Sequence, residues 1–172
     1  MDNAQTILAP RRRGLTLVEV VISTLIVGAM TVAALNALGA ATKSSASTAN
    51  RAIAVGLAED LMAEILNAAY KEPVASPVFG PEGSEASGPR SVFNDVDDYN
   101  GWSEQPPKTR DGAALADRAL WRRRVVIERV VPTNPTQTTA GATDQGAKRI
   151  HVIVEYNGVQ VLEQIAVRTD NE

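Results

Sequence analysis

Between Leu15 and Leu38 the chain carries one charged residue, Glu19, in a run that is otherwise apolar or small. As a helix, about 24 residues extend about 36 Å at 1.5 Å each, enough to cross a hydrocarbon core of about 30 Å. The run is apolar all round and not along one face, which argues against the surface helix of a soluble protein. Directly before it stand Arg11, Arg12, Arg13 and Gly14. Such a basic cluster holds the N-terminal side of a spanning helix in the cytoplasm. A carboxylate inside the span is unfavourable, by about 2.5–3.5 kcal/mol at the centre, and marks a function by default.

Two ordinary explanations leave part of this pattern unused. A secretory signal has an apolar core of about 7–15 residues before a small-residue cut. Ala37-Leu38-Gly39 offers such a cut, but the run before it is longer and contains Glu19. A plain uncleaved anchor accounts for the length and the arginines and gives no role to Gly14 or Glu19. Taken together, Arg11-Arg12-Arg13-Gly14-Leu15-Thr16-Leu17-Val18-Glu19 resembles the type III signal of the type IV pilin family, which includes the pseudopilins of type II secretion. The resemblance implies that residues 1–14 are a leader removed after Gly14 by a prepilin peptidase. It further implies that Leu15 becomes a methylated N-terminus, and that Glu19 acts in assembly. The expected location is a single pass through the inner membrane with a periplasmic C-terminal domain, and afterwards a pilus or pseudopilus. The implied partners are other pilin or pseudopilin subunits, the inner-membrane assembly machinery and membrane lipid.

The helix is expected to continue beyond the span, with 15–38 as its transmembrane or filament-core half and 39–72 as an amphipathic half. Ile53, Leu57, Leu61 and Ile65 recur every fourth residue, Ala54, Ala58, Met62, Leu66 and Ala69 widen the stripe, and Arg51, Glu59, Asp60 and Glu64 take other faces. Pro73 is the expected stop. The whole would measure about 57 residues and about 86 Å. Pilins have such a helix, with its second half against a small antiparallel sheet, so the fold class expected here is α+β. Two departures from the family are plain: there is no proline between Leu15 and Glu72, and the chain has no cysteine, whereas many major pilins carry a C-terminal disulfide. The second leans the resemblance toward a minor subunit.

Residues 73–120 lose all periodicity and are rich in proline and glycine, as an irregular region would be. Within them lies Phe93-Asn94-Asp95-Val96-Asp97-Asp98-Tyr99-Asn100-Gly101-Trp102. Asp95, Asp97, Asp98 and Asn100 offer oxygen ligands for a hard cation such as calcium, which would be the chain's one cofactor. They do not form an EF-hand loop, because Tyr99 takes the third ligand position and Pro106 the closing one. The competing reading is a turn capped by Asp and Asn side chains and pinned by Phe93, Tyr99 and Trp102. The segment also resembles an Asp-rich stretch in minor pilins of the mannose-sensitive haemagglutinin type.

Residues 121–172 read as an antiparallel sheet. Trp121–Val131, Ile150–Tyr156 and Val159–Val167 are rich in β-branched residues. Asn157-Gly158 is a type I′ hairpin signal, since both residues tolerate positive φ. Ile150, Val152, Val154 and Tyr156 should share one face, and Val159, Val161, Ile165 and Val167 one face of the next strand, both covering the helix stripe. Pro132–Gly146 reads as an exposed connection. Arg122, Arg123 and Arg124 alternate in direction along a strand, which suits ion pairs at an edge better than a phosphate site.

Several function classes lose support from composition. The formal charge of −3 becomes more negative once the leader arginines are removed, and no basic stripe replaces them, so nucleic acid is a poor partner. Without cysteine there is no thiolate nucleophile or sulfur-ligated metal. His151 is the only histidine and lies among strand residues, with no Gly-x-Ser-x-Gly motif anywhere, so no catalytic residue is assigned and no enzyme is expected. The expectation is a structural minor pilin or pseudopilin. The alternative is a membrane-anchored periplasmic binding module that uses the Asp-rich loop and does not polymerise.

Overall fold

The computed structural model describes residues 14–72, 78–83, 85–139 and 143–170. Residues 1–13 of the expected leader and the expected stop at Pro73 therefore lie outside the described residues. The architecture is α+β and pilin-like: one long N-terminal helix, α1 (Leu17–Leu66), and a five-stranded antiparallel sheet. The chain divides into two compact units, Met1–Ala46 and Ser47–Glu172.

In the first unit α1 starts two residues later than expected. Thr16 is the residue that starts it: its carbonyl accepts the Val20 N–H at 3.1 Å and its Oγ1 accepts the Glu19 N–H at 3.3 Å, which satisfies a donor that a helix end would otherwise leave open. From Leu17 to Leu38 the large apolar side chains are exposed on every side. Two hydroxyls in this stretch are satisfied internally, since Thr24 and Thr31 each donate to the carbonyl one turn back at 2.8 Å. By length and composition α1 can cross a membrane.

In the second unit the same helix turns one-sided. Ala54, Leu57, Ala58, Leu61, Met62 and Ile65 are buried, on the stripe read from the sequence. Each fully buried Leu or Ile contributes about 1.5–3 kcal/mol. The helix closes at Leu66 and does not run to residue 72. Asn67 donates from both its backbone and its side chain to the Ala63 carbonyl, and Ala68 N–H turns back to Ile65. The chain then leaves the helix because Ala69 finds extended partners: it donates to the Asn94 carbonyl at 3.2 Å and accepts from Val96 N–H at 2.9 Å.

The region 73–120 is less irregular than its composition implies. Its described residues hold three single 3-10 turns, at Glu85–Ser87, Arg90–Val92 and Asp97–Tyr99, and a two-residue strand, β1 (Ser103–Glu104). The remaining strands are β2 (Trp121–Val131), β3 (Asn134–Thr138), β4 (Ala147–Tyr156) and β5 (Val159–Thr169). Their order is β1-β2-β4-β5, with β3 pairing to the end of β2. β3 lies inside the segment read as an exposed connection. A two-residue turn at Pro132-Thr133 folds it back, so that Val131 faces Asn134.

One face of the sheet meets α1. Ile150, Val152 and Val154 are fully buried there with Trp121, Val125 and Ile127 of β2, and Tyr156 packs on Trp121 with ring centroids 4.9 Å apart. Asn157 and Gly158 have φ of 50° and 78°, the double positive φ that a type I′ turn requires. Of the expected inward face of β5 only Val161 packs against the core, where Leu162 and Ala166 join it, while Val159, Ile165 and Val167 are exposed. For Ile165 and Val167 the cause is a bulge. Tyr156 pairs with Val159, but Val154 pairs with Leu162 where an unbroken ladder would place Val161, and one extra residue sends every later side chain to the opposite face.

Candidate functional site

The N-terminal candidates lie at the start of α1. Gly14 and Leu15 precede the helix, and Leu15 is exposed. Glu19 is the third residue of α1, in the turn where unsatisfied N–H groups give a partial positive charge that favours a carboxylate. It stands three residues after Thr16, the spacing of a capping box.

The Asp-rich loop is held to the body by the residues that flank it. Phe93 and Tyr99 meet edge to face at 5.0 Å, Tyr99 Oη donates to Glu64 Oε1 of α1 at 2.9 Å, and the Arg90 guanidinium stacks over Trp102 at 4.8 Å while pairing with Glu64 at 2.7 Å. Burial and the Glu64 carboxylate push the Tyr99 hydroxyl up from its ordinary range, so it stays a donor. Gly101 N–H donates to the Val125 carbonyl and Val125 N–H to the Trp102 carbonyl, which joins the loop to β2.

Within this frame the four proposed cation ligands go to different partners. Asp95 Oδ1 accepts the N–H groups of Asp97 at 2.6 Å and Asp98 at 3.2 Å. Asp98 Oδ2 accepts those of Asn94 at 2.8 Å and Asp95 at 3.0 Å. These two side chains cap the turn reciprocally, as the capped-turn reading expects. Asn100 Oδ1 accepts the Ile127 N–H at 3.0 Å. Asp97 Oδ1 lies 2.8 Å from Lys148 Nζ, a pair in which both side chains are shut off from water. The structure thus spends Asp95, Asp97 and Asn100 on protein contacts, while Asp98, itself a turn cap, also reaches two carboxylates from outside the loop.

Those carboxylates are Glu82 and Glu85, which sequence reasoning did not single out. Glu82, Glu85 and Asp98 each place one oxygen within 4.8 Å of the others. Glu85 is held by Asn94 Nδ2, which donates to its Oε1 at 2.8 Å. Contact with Glu72, burial and the neighbouring negative charges push the Glu82 carboxyl up to about 7, and burial raises Glu85 as well. Burial, with the charges of Asp98 and Asp97, pushes Asp95 up to about 6. The sequence signal was slight: two glutamates three residues apart in a Pro- and Gly-rich stretch.

Lys148 was also missed. Its ammonium donates to the Tyr70 carbonyl, sits 4.1 Å over the Tyr70 ring and lies 4.0 Å from Asp144, which accepts the Tyr70 hydroxyl at 2.7 Å. The arginines of β2 alternate as expected. Arg124 and Arg122 pair with Glu155, while Arg123 turns inward to Glu104 and the carbonyls of Lys108 and Leu57. His151 lies on the opposite face of the sheet from α1, its ring nitrogens 2.7 Å from Glu163 and 3.2 Å from Glu128.

Comparison with protein-family models, with curated proteins and with solved structures found no match to this chain.

Proposed function

We propose that the chain is a minor pilin or pseudopilin. It would be cut after Gly14, methylated on Leu15, held in the inner membrane by the apolar part of α1, and then built into a type IV pilus or a type II secretion pseudopilus. What carries this reading is the pairing of Glu19 with its setting. One carboxylate sits in the first turn of a helix whose next 20 residues are uncharged and, in the isolated chain, exposed. Lipid covers such a surface before assembly, and neighbouring subunits of the same kind cover it afterwards. Cleavage at Gly14 creates an amino group about one helical turn from Glu19, a cation able to relieve the buried carboxylate.

The competing reading is a membrane-anchored periplasmic binding module that never polymerises, and assembly separates the two. Crosslinking in intact cells followed by purification of this chain is expected to recover other pilin-like subunits covalently joined to it. Recovery of the monomer alone, under conditions that crosslink a known filament subunit, would favour the binding module.

A further inference from the structure

We propose that Glu82, Glu85 and Asp98 bind a divalent cation of calcium's class. The first ground is geometric. Calcium takes oxygen ligands at about 2.3–2.6 Å, so two ligands on opposite sides of one ion stand about 4.6–5.2 Å apart. Three carboxylate oxygens all within 4.8 Å of one another fit around such an ion.

The second ground is independent of the clustering. Asp98 is 1% exposed, and its Oδ1 is sealed from solvent with no hydrogen-bond donor, although Oδ2 is fully used by backbone N–H groups. Both carboxylate oxygens of Glu82 are likewise enclosed and without a donor. Buried polar atoms in native proteins nearly always have a partner. Here three unpartnered acceptor atoms belong to two of the three clustered carboxylates. Their other acidic neighbour, Glu72, brings no donor while both are ionised. A cation among them would take one oxygen from each of the three carboxylates, and water or backbone carbonyls would complete the six to eight ligands that calcium takes.

Calcium fits better than magnesium. The ligands come from a Pro- and Gly-rich segment and a 3-10 turn, and flexible, irregular oxygen sets suit calcium, whereas magnesium demands near-ideal octahedral geometry and sheds water reluctantly. The ion would tie the 3-10 turn at Glu85–Ser87 to the one at Asp97–Tyr99, which Asn100 and Gly101 join to β2. This inference does not depend on whether the chain polymerises.

The test uses the full chain in detergent micelles, stripped of metal with a chelator and then titrated with calcium chloride in a calorimeter and in thermal melts. Saturable binding is expected, with a dissociation constant of about 10⁻⁵–10⁻³ M. An upward shift in melting temperature should accompany it, because a ligand that binds only the folded state stabilises that state. Glu82→Gln should weaken binding at least about tenfold, the expected result of losing one charged ligand of three. Since Glu82 caps no turn, that variant should melt no lower than the parent in the absence of calcium. Glu85→Gln should act in the same direction, and Asp97→Asn should leave affinity unchanged. No saturable binding at about 5 mM calcium would overturn the proposal in favour of carboxylates that share protons. Binding lost with Asp97→Asn and kept with Glu82→Gln would overturn it in favour of the ligand set read from the loop sequence.

Discussion

Replacing Glu19 with alanine is expected to leave leader removal and membrane insertion intact while blocking entry into filaments. The apolar run proposed to insert is unchanged by the substitution, and the proposed cut would depend on the residues around Gly14. What the substitution removes is the carboxylate that would pair with an amino group in apolar surroundings, either that of its own Leu15 or that of a neighbouring subunit. Breaking a buried ion pair by removing one partner costs about 3–5 kcal/mol, more than about a hundredfold in an association constant. Glu19→Gln should behave like the alanine variant, because it keeps the shape and loses the charge. A lesser contribution comes from the helix end, where a carboxylate is worth about 0.3–1 kcal/mol. Circular dichroism on both variants should show the helix retained. The readout is recovery in sheared filaments or crosslinked complexes beside leader removal by mass. Normal incorporation of the alanine variant would show that Glu19 is not the assembly contact.

Lys148→Ala is expected to destabilise the unit formed by residues 47–172 by about 3–5 kcal/mol, since it leaves the buried Asp97 carboxylate facing empty space. Asp97 is already held above its ordinary carboxylate range by burial, against the opposing pull of Lys148. Removing the ammonium leaves desolvation unopposed. The same change strips the donor from the Tyr70 carbonyl and the cation from above its ring. Urea unfolding of the full chain in micelles, followed through the fluorescence of Trp102 and Trp121, measures the loss. The double variant Lys148→Met, Asp97→Leu should regain part of it, because an apolar pair of similar volume does not carry the desolvation cost. A single variant that unfolds at the parent urea concentration would show that the pair contributes nothing.

The parts of the fold that were legible in the sequence are those set by local chemistry. The four-residue spacing from Ile53 to Ile65 marked the buried face of α1, and Asn157-Gly158 marked a turn whose two φ angles are both positive. The limits of β2 followed from its β-branched run, whereas β4 begins three residues before Ile150 and β5 runs two past Val167. What failed depended on contacts far apart in sequence. Nothing within Asn67–Glu72 announces that Ala69 will pair with Asn94 and Val96, so the helix was carried too far. Nothing within β5 reveals the bulge opposite Val154 and Glu155, and that single residue turned Ile165 and Val167 outward.

The acidic site shows the same division. The aspartates of the loop were visible as a group, and the role of Asp95 and Asp98 as turn caps follows from short-range geometry that Asp and Asn commonly adopt. The convergence of Asp98 with Glu82 and Glu85 needs a tertiary fold. Lys148 was a different kind of omission, since it shares strand parity with Ile150 and Val152, just as Arg123 does with Trp121 and Val125. Alternation along the observed strands points both cations inward. Burying a charge is unfavourable unless it is paired, and the partners, Asp97 and Glu104, come from another part of the chain.

The claim that this chain is a processed, assembled subunit rests first on its N-terminus, and the mass of the N-terminal peptide of the cellular protein tests it most directly. The expected peptide begins at Leu15 and carries one added methyl group on its amine. A protein that still begins at Met1, or one cut near Gly39, would contradict the account.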